Sequence, residues 1–232
     1  MSQRVVITGA NRGLGLELTK RYLERGDTVF ALARKPGESK ALQDLSNANP
    51  ETLTLVTCDV SDDPSVAKAA SEVLGRVSAI DLLINNAGVN SGASGSFASA
   101  KLEDVLSVMQ VNLLGPWRVT RAFVDKLKGG QDPKVVQISS LMGSMADNSS
   151  GGSWSYRISK TALNMFNRNL AHELPGVTVV AFHPGWVQTD MGGSSAPLTI
   201  EESVAAMMST IDELSTEHTG GFYDRNGERL PY

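Results

Sequence analysis

Tyr156 and Lys160 stand four residues apart in the stretch YRISK, and the TALNMFNRNLAHEL region around and after them reads as helix. That spacing puts a phenol and an ammonium one turn apart on the same helix face. A free phenol keeps its proton until pH about 10. At an effective dielectric of 20, a unit charge about 4 Å away is worth roughly 4 kcal/mol, enough to lower the phenol pKa by about three. Tyr156 would then enter the range of useful acid and base chemistry. The same spacing is common on solvated helices, so the pair carries chemistry only if the rest of the chain gives it something to act on.

A glycine-rich loop, TGANRGLG (8–15), is the first such feature, with the strand-like RVVIT before it and the helical LGLELTKRYLERG after it. Glycines let the backbone turn sharply and approach a pyrophosphate, whose charge the free N–H groups of a helix N-terminus favour. A tight turn alone would use the same residues, but a strand before and a helix after are the context a dinucleotide site requires. Beyond the next strand an acidic residue would accept the ribose hydroxyls of NAD. The chain instead reads FALARKPG, with Arg34 and Lys35 at that place and Arg12 inside the glycine loop. Cations converging there would bind a 2′-phosphate, which makes NADP(H) the expected cofactor and NAD the less favoured one. The alternative is that Arg34 and Lys35 are solvated loop charges.

Short β-rich runs alternate with helical patterns along the whole chain, from RVVIT through TVFALA, TLTLVT, IDLLIN, KVVQIS and VTVVAF to GGFYD. Near-continuous apolar strands separated by crossover helices predict a doubly wound α/β fold, a parallel sheet of about seven strands covered on both faces. One long helix is expected over KLEDVLSVMQVNLLGPWRVTRAFVDKL. Two Gly- and Ser-rich segments, GVNSGASGSFASA (88–100) and SLMGSMADNSSGGSW (140–154), each follow a strand. In an open parallel sheet, ligands lie beyond the carboxyl ends of the strands, so these segments read as walls of a site.

The 232 residues are 41% hydrophobic with a formal charge of −4, as expected for one soluble globular domain spanning 1–232. There is no basic block or stripe to suggest nucleic acid. No run approaches the eighteen or so apolar residues of a membrane span, and the start, MSQRVVITGANRG, has too short an apolar run for a signal peptide. The single cysteine, Cys58, ends an apolar run and reads as a buried reduced thiol. A cytoplasmic protein without a metal site is the expectation.

TGANRGLG, CDV (58–60), NNAG (85–88), Asn112, the serine of ISSLMG (138–143), YRISK and PGWVQTDM (184–191) occur in the order and spacing of the classical short-chain dehydrogenase/reductase family, which the chain resembles from its first strand to its last helix. Within that family, NRGLGLE, HPGWVQTDMGG and TGGFYDRNGERLPY look most like the C-factor and sniffer type carbonyl reductases. The resemblance implies that Gly9, Asn11, Arg12, Gly13, Leu14 and Gly15 hold the pyrophosphate and its neighbourhood, with Arg34 at the 2′-phosphate. Asp59 and Val60 would meet the adenine, and Asn86, Ala87 and Gly88 the adenosine ribose. Pro184, Gly185, Val187 and Thr189 would meet the nicotinamide, while His183 has no role in the family pattern.

For the chemistry, the resemblance implies a catalytic set of Asn112, Ser140, Tyr156 and Lys160. Ser140 is favoured over Ser139 because the family motif places a glycine three residues later, here Gly143. Tyr156 would donate a proton to a developing alkoxide that Ser140 also hydrogen-bonds. Lys160 would depress the tyrosine pKa, hold the nicotinamide ribose and relay a replacement proton through a water on Asn112, which locally breaks its helix. The expected activity is NADPH-dependent reduction of a small or medium aldehyde, ketone or quinone; the reverse alcohol oxidation is a rival within the same class. A signalling or redox-sensing protein that binds NADP(H) with little turnover is the rival in a different class. Ile158 replaces the small residue usual between the tyrosine and the lysine, and the segment GGSSAPLT makes a short lid. Family members commonly pair through the Asn112 and Tyr156 helices, which implies a homodimer or homotetramer.

Overall fold

The computed structural model describes residues 2–90 and 97–232. Seven strands form one sheet: β1 (Arg4–Thr8), β2 (Thr28–Ala33), β3 (Leu53–Thr57), β4 (Leu82–Asn85), β5 (Lys134–Ile138), β6 (Thr178–His183) and β7 (Phe222–Asp224). Their order is β3-β2-β1-β4-β5-β6-β7, and all pairings are parallel. Seven α-helices connect them among the described residues: α1 (Gly13–Glu24), α2 (Lys40–Ala48), α3 (Asp63–Leu74), α4 (Leu102–Asn112), α5 (Leu114–Lys128), α6 (Trp154–Glu173) and α7 (Ile200–Glu213).

The strands are apolar on both sides because both sides are covered. Val5 and Ile7 of β1 join one core with Leu18 and Tyr22 of α1 and Val204, Met207 and Ile211 of α7. Val6, between them in sequence, joins the opposite core with Val66 and Val73 of α3 and Val119, Phe123 and Leu127 of α5. This is the two-residue alternation of a strand read out as two helical layers.

The order reverses at β1, which pairs with β2 on one side and β4 on the other. The crevice beyond the carboxyl ends of these strands is where such sheets bind ligands. The glycine loop leaves β1 at that point and NNAG leaves β4 beside it.

One expected element differs. The long helix is two helices, α4 and α5, broken at Leu113, whose ψ of −59° accompanies a φ of −115°. Pro116 is the physical cause, since it lacks the N–H that a continuous helix would aim at the carbonyl of Asn112 four residues earlier, and its ring crowds that carbonyl. Asn112 therefore ends α4 at a break, in line with the local break of the helix that the resemblance implied for it. Of the first expected loop, residues 91–96 lie outside the described residues. Phe97, from its far end, meets Trp154 edge to face with ring centroids 5.5 Å apart, two residues before Tyr156. Both expected walls thus converge on the start of α6.

Candidate active site

Helix α6 presents Tyr156 and Lys160 on a face buried against the sheet; 9% of Tyr156 and 4% of Lys160 remains exposed. The lysine Nζ donates to the carbonyl of Ile138, the last residue of β5, at 2.7 Å, and lies 5.6 Å from the centre of the Tyr156 ring. Ser140 caps a short 3-10 turn, Leu141–Gly143, its Oγ accepting the Met142 N–H at 3.2 Å. The Ser140 hydroxyl also faces the Tyr156 phenol, near enough to favour its ionised form. Ser139 points elsewhere: its Oγ donates to Asn164 Oδ1 at 2.6 Å inside the protein. Of the two serines, Ser140 is the one beside the phenol.

Burial acts on both ionisable partners. It raises the Tyr156 pKa above its ordinary value, and the Ser140 hydroxyl opposes that rise without cancelling it. It pushes the Lys160 amine down from 10.5 to about 8. The lowered phenol pKa expected from the neighbouring ammonium is therefore not found. Desolvation of a buried phenolate sets the direction, and the Lys160 cation, turned onto the Ile138 carbonyl, is not among the groups that pull the phenol down. At neutral pH the phenol holds its proton, as a proton donor must.

Asn112 is fully buried and its amide is completely engaged. Oδ1 accepts from the Val89 N–H at 2.8 Å, and Nδ2 donates to the Val89 carbonyl at 2.9 Å and to Ser159 Oγ at 3.0 Å. Ser159 in turn donates to the Tyr156 carbonyl at 2.8 Å. The side chain fastens the segment after β4 to α6. The Asn112 backbone carbonyl lacks the helical N–H partner that Pro116 cannot supply.

The groove beside the glycine loop is built around close backbone approach. Gly9 has a φ of +65°, and a Cβ there would lie 2.9 Å from Ala87 Cα. A Cβ on Gly15 would lie 2.3 Å from the Gly9 carbonyl oxygen and 2.5 Å from Asn86 Nδ2. Asn86 Nδ2 donates to the carbonyls of Thr8 and Gly9 at 2.9 and 3.2 Å, and the N–H groups of Asn86 and Ala87 both reach Thr8 Oγ1 at 3.0 Å. The Asn11 carbonyl accepts from Ser39 Oγ at 2.8 Å, and Leu14 packs on the α1 and α7 core. Gly88 faces Asn112 and Lys160, its notional Cβ 3.5 Å from Asn112 Oδ1 and 3.7 Å from Lys160 Nζ. Such a cradle leaves room for a pyrophosphate only because these side chains are missing.

After β3, where the adenosine was expected, Val60 is buried and Asp59 Oδ1 accepts from the Ser61 N–H at 2.9 Å and from Ser61 Oγ at 2.6 Å. These hydrogen bonds, with smaller pulls from Arg34 and Arg118, hold the Asp59 carboxyl below the usual range. The three cations expected to converge here are placed unequally. Arg12 pairs with Asp190, and Lys35 with Glu38 at 2.9 Å. Arg34 is exposed and close enough to Asp59 to act on its charge.

At the other end, Gly185 has a φ of +87°, and Pro184 accepts at its carbonyl from Ser203 Oγ at 2.7 Å. Val187 bridges Leu198, and the Gln188 N–H reaches the Leu198 carbonyl at 2.9 Å, which pins the short lid across its base. Thr189 Oγ1 accepts from the Gly192 N–H at 3.1 Å, and its methyl would lie 3.6 Å from a Cβ on Gly13. His183 is pushed down to about 4 by burial, its Nδ1 without a partner among the described residues, so it is neutral near pH 7.

Two residues that sequence reasoning passed over matter here. Thr8 ties the glycine loop to NNAG, and its signal was its place immediately before Gly9. Arg157 reaches the Met142 carbonyl at 3.4 Å, Ser150 Oγ at 2.9 Å and the Gly151 carbonyl at 3.1 Å, binding the second loop to α6. Nothing in the sequence marks it, because two of its acceptors are backbone oxygens. Among the described residues no group of three or more His, Cys, Asp or Glu could hold a metal, and no helix is long and apolar enough to cross a membrane.

The short chain dehydrogenase family profile matches residues 3–198. The C-signal protein of Myxococcus xanthus is 44% identical over 155 residues, covering 66% of this chain and 93% of its own length. An NADPH-bound carbonyl reductase from chicken fatty liver superposes with a TM-score of 0.92 at 34% identity, covering 100% of this chain and 99% of the other. The carbonyl reductase Sniffer of D. melanogaster superposes with a TM-score of 0.94 at 30% identity, covering both chains fully at 100%. This chain belongs to the short-chain dehydrogenase family of oxidoreductases.

Proposed function

We propose that the protein is an NADPH-dependent reductase of a small or medium aldehyde, ketone or quinone, with Tyr156 as general acid. The observation that carries the reading is a phenol kept protonated by burial, beside the Ser140 hydroxyl and one turn from a buried lysine. A nicotinamide cofactor bound in the groove would supply the hydride. Tyr156 gives its proton to the carbonyl oxygen as negative charge develops there, and Ser140 orients that oxygen. Lys160 stabilises the phenolate left behind, and a water on the Asn112 carbonyl passes a proton inward. Gly9, Gly15 and Asn86 form the cradle for the pyrophosphate, Asp59 and Val60 meet the adenine, and Thr189 with the Val187 backbone meets the nicotinamide.

NADP is favoured over NAD by Arg34, by the absence of a carboxylate at its position, and by the NADPH bound to the similar chicken enzyme. The direction of the reaction in a cell follows from cofactor ratio. The likeness to a C-signal protein supports the second reading, a nucleotide-binding signalling protein; binding alone has no need of a protonated acid beside a buried lysine. Residues 1–232 are read as one domain acting in the cytoplasm. The outward faces of α5 and α6 leave Trp117, Ile158 and Met165 exposed, which favours a homodimer through them.

The test is NADPH oxidation, followed by its absorbance, against aldehydes, ketones and quinones, with NADH and Tyr156→Phe in parallel. Turnover that needs NADPH and falls at least a hundredfold in the variant is expected, from loss of a general acid. Tight NADPH binding with no turnover on any substrate would favour the signalling reading.

A further inference from the structure

The Arg12–Asp190 ion pair joins two segments 178 residues apart, the glycine loop and the loop beyond β6. Thr189 lies beside Gly13, its methyl 3.6 Å from where a Cβ on Gly13 would stand, so the pair closes the gap between the two loops that would hold the ends of a dinucleotide. Both side chains are largely exposed, 66% for Arg12 and 76% for Asp190, so neither is held in place by packing. Lys35 is engaged by Glu38. A 2′-phosphate entering this groove meets one cation already facing the adenosine end, Arg34, and one held by a carboxylate, Arg12.

We propose that Asp190 is the counter-ion that a 2′-phosphate displaces from Arg12, which makes Asp190 a residue that sets the selectivity between NADP and NAD. The proposal rests on the reading of NADP as the cofactor. An exposed ion pair is weak, because water screens it and two long side chains lose freedom in forming it. A phosphate near dianionic charge offers the guanidinium two parallel charge-assisted hydrogen bonds in exchange. The 5′-phosphate that the glycine loop would hold is common to both nucleotides, so an adenosine nucleotide without the 2′-phosphate lacks the group that opens the pair. Asp190 therefore weakens binding of the phosphorylated cofactor by the strength of its hold on Arg12 and leaves the other untouched.

The experiment is calorimetric binding of adenosine 2′,5′-bisphosphate and of 5′-AMP, which reach the adenosine end without the nicotinamide, to wild type, Asp190→Asn and the Arg12→Gln/Asp190→Asn double variant. Asp190→Asn is expected to tighten the bisphosphate by about 1.5- to 5-fold, the range of an exposed pair, and to leave 5′-AMP unchanged. The double variant is expected to lose that gain. A wild type that prefers the bisphosphate, with an Asp190→Asn variant that binds both nucleotides as wild type does, overturns the exchange and leaves the NADP reading standing on Arg34. Equal tightening of both nucleotides also overturns it, because Asp190 would then repel any phosphate in the groove. Wild type and variant both failing to distinguish the nucleotides would overturn the NADP reading and the exchange together. Thermal melting accompanies each variant, and an unchanged midpoint is expected because Asp190 is exposed.

Discussion

Replacing Lys160 by methionine should remove the pH dependence that the buried amine gives to stability and, on the proposed reading, remove the chemistry as well. Burial moves the amine from 10.5 to about 8. Each tenfold change in proton affinity is about 1.4 kcal/mol, so carrying the charged lysine in the folded state costs about 3 kcal/mol. The folded protein binds this proton more weakly than the unfolded chain does, so between pH 8 and 10.5 the unfolded state holds more protons and stability rises with pH. Below pH 8 the full cost is present; above 10.5 it is gone. Methionine has a similar length and no proton, and carries no such cost at any pH. Against its gain stands the Ile138 carbonyl, left without the donor now at 2.7 Å, which costs about 1–3 kcal/mol.

The two terms nearly offset at pH 7, so the pH dependence is the decisive quantity. Urea unfolding of Tyr156→Phe and of Tyr156→Phe/Lys160→Met, from pH 7 to about 10.5, removes the neighbouring phenol from both sides of the comparison. The lysine protein should gain about 3 kcal/mol on the methionine protein across that interval, at unchanged m-value. A difference that stays flat would show that the hydrogen bond to Ile138 restores the ordinary proton affinity of the amine, and desolvation would then not be what governs Lys160. In the Tyr156 background, Lys160→Met should abolish NADPH-dependent turnover.

Gly15→Ala places a methyl 2.3 Å from the Gly9 carbonyl oxygen and 2.5 Å from Asn86 Nδ2; it should cost about 1–3 kcal/mol in thermal or urea unfolding and weaken NADPH binding measured by fluorescence. Arg157→Met removes three hydrogen bonds that hold Met142, Ser150 and Gly151 to α6. It should lower kcat/KM about tenfold, roughly the worth of one or two such bonds, with NADPH affinity unchanged; an equal loss of NADPH affinity would mean a general loosening of the fold.

The alternation of strands and helices was legible because each strand is apolar on both sides, as a sheet covered on both faces requires. The YRISK pair and the glycine loop were legible because their spacing is local. The break at Leu113 was also written locally, in the LLGPW that carries Pro116, but the helical periodicity on either side of it reads straight through. The partners of Arg12 and Arg157 were not legible. Asp190 is 178 residues from Arg12, and the acceptors around Arg157 include carbonyls present at every position of any chain. Nor was the direction of the Tyr156 shift, since burial belongs to the folded packing and only the charge of Lys160 can be seen in sequence.

That direction changes what the lysine is for. An ammonium that lowered the phenol pKa in the resting protein would weaken the acid's hold on its proton before any substrate arrived. With burial keeping the phenol protonated and the Ser140 hydroxyl already beside it, the phenolate's charge appears only as the proton leaves. On the proposed reading, Lys160 then acts where charge develops, and its stabilisation belongs to the transition state more than to the ground state. The same burial that makes the charged amine costly to fold also removes the water that would screen its action on the phenolate. The destabilising lysine and the effective lysine are one arrangement, and a variant that relieves the first should lose the second.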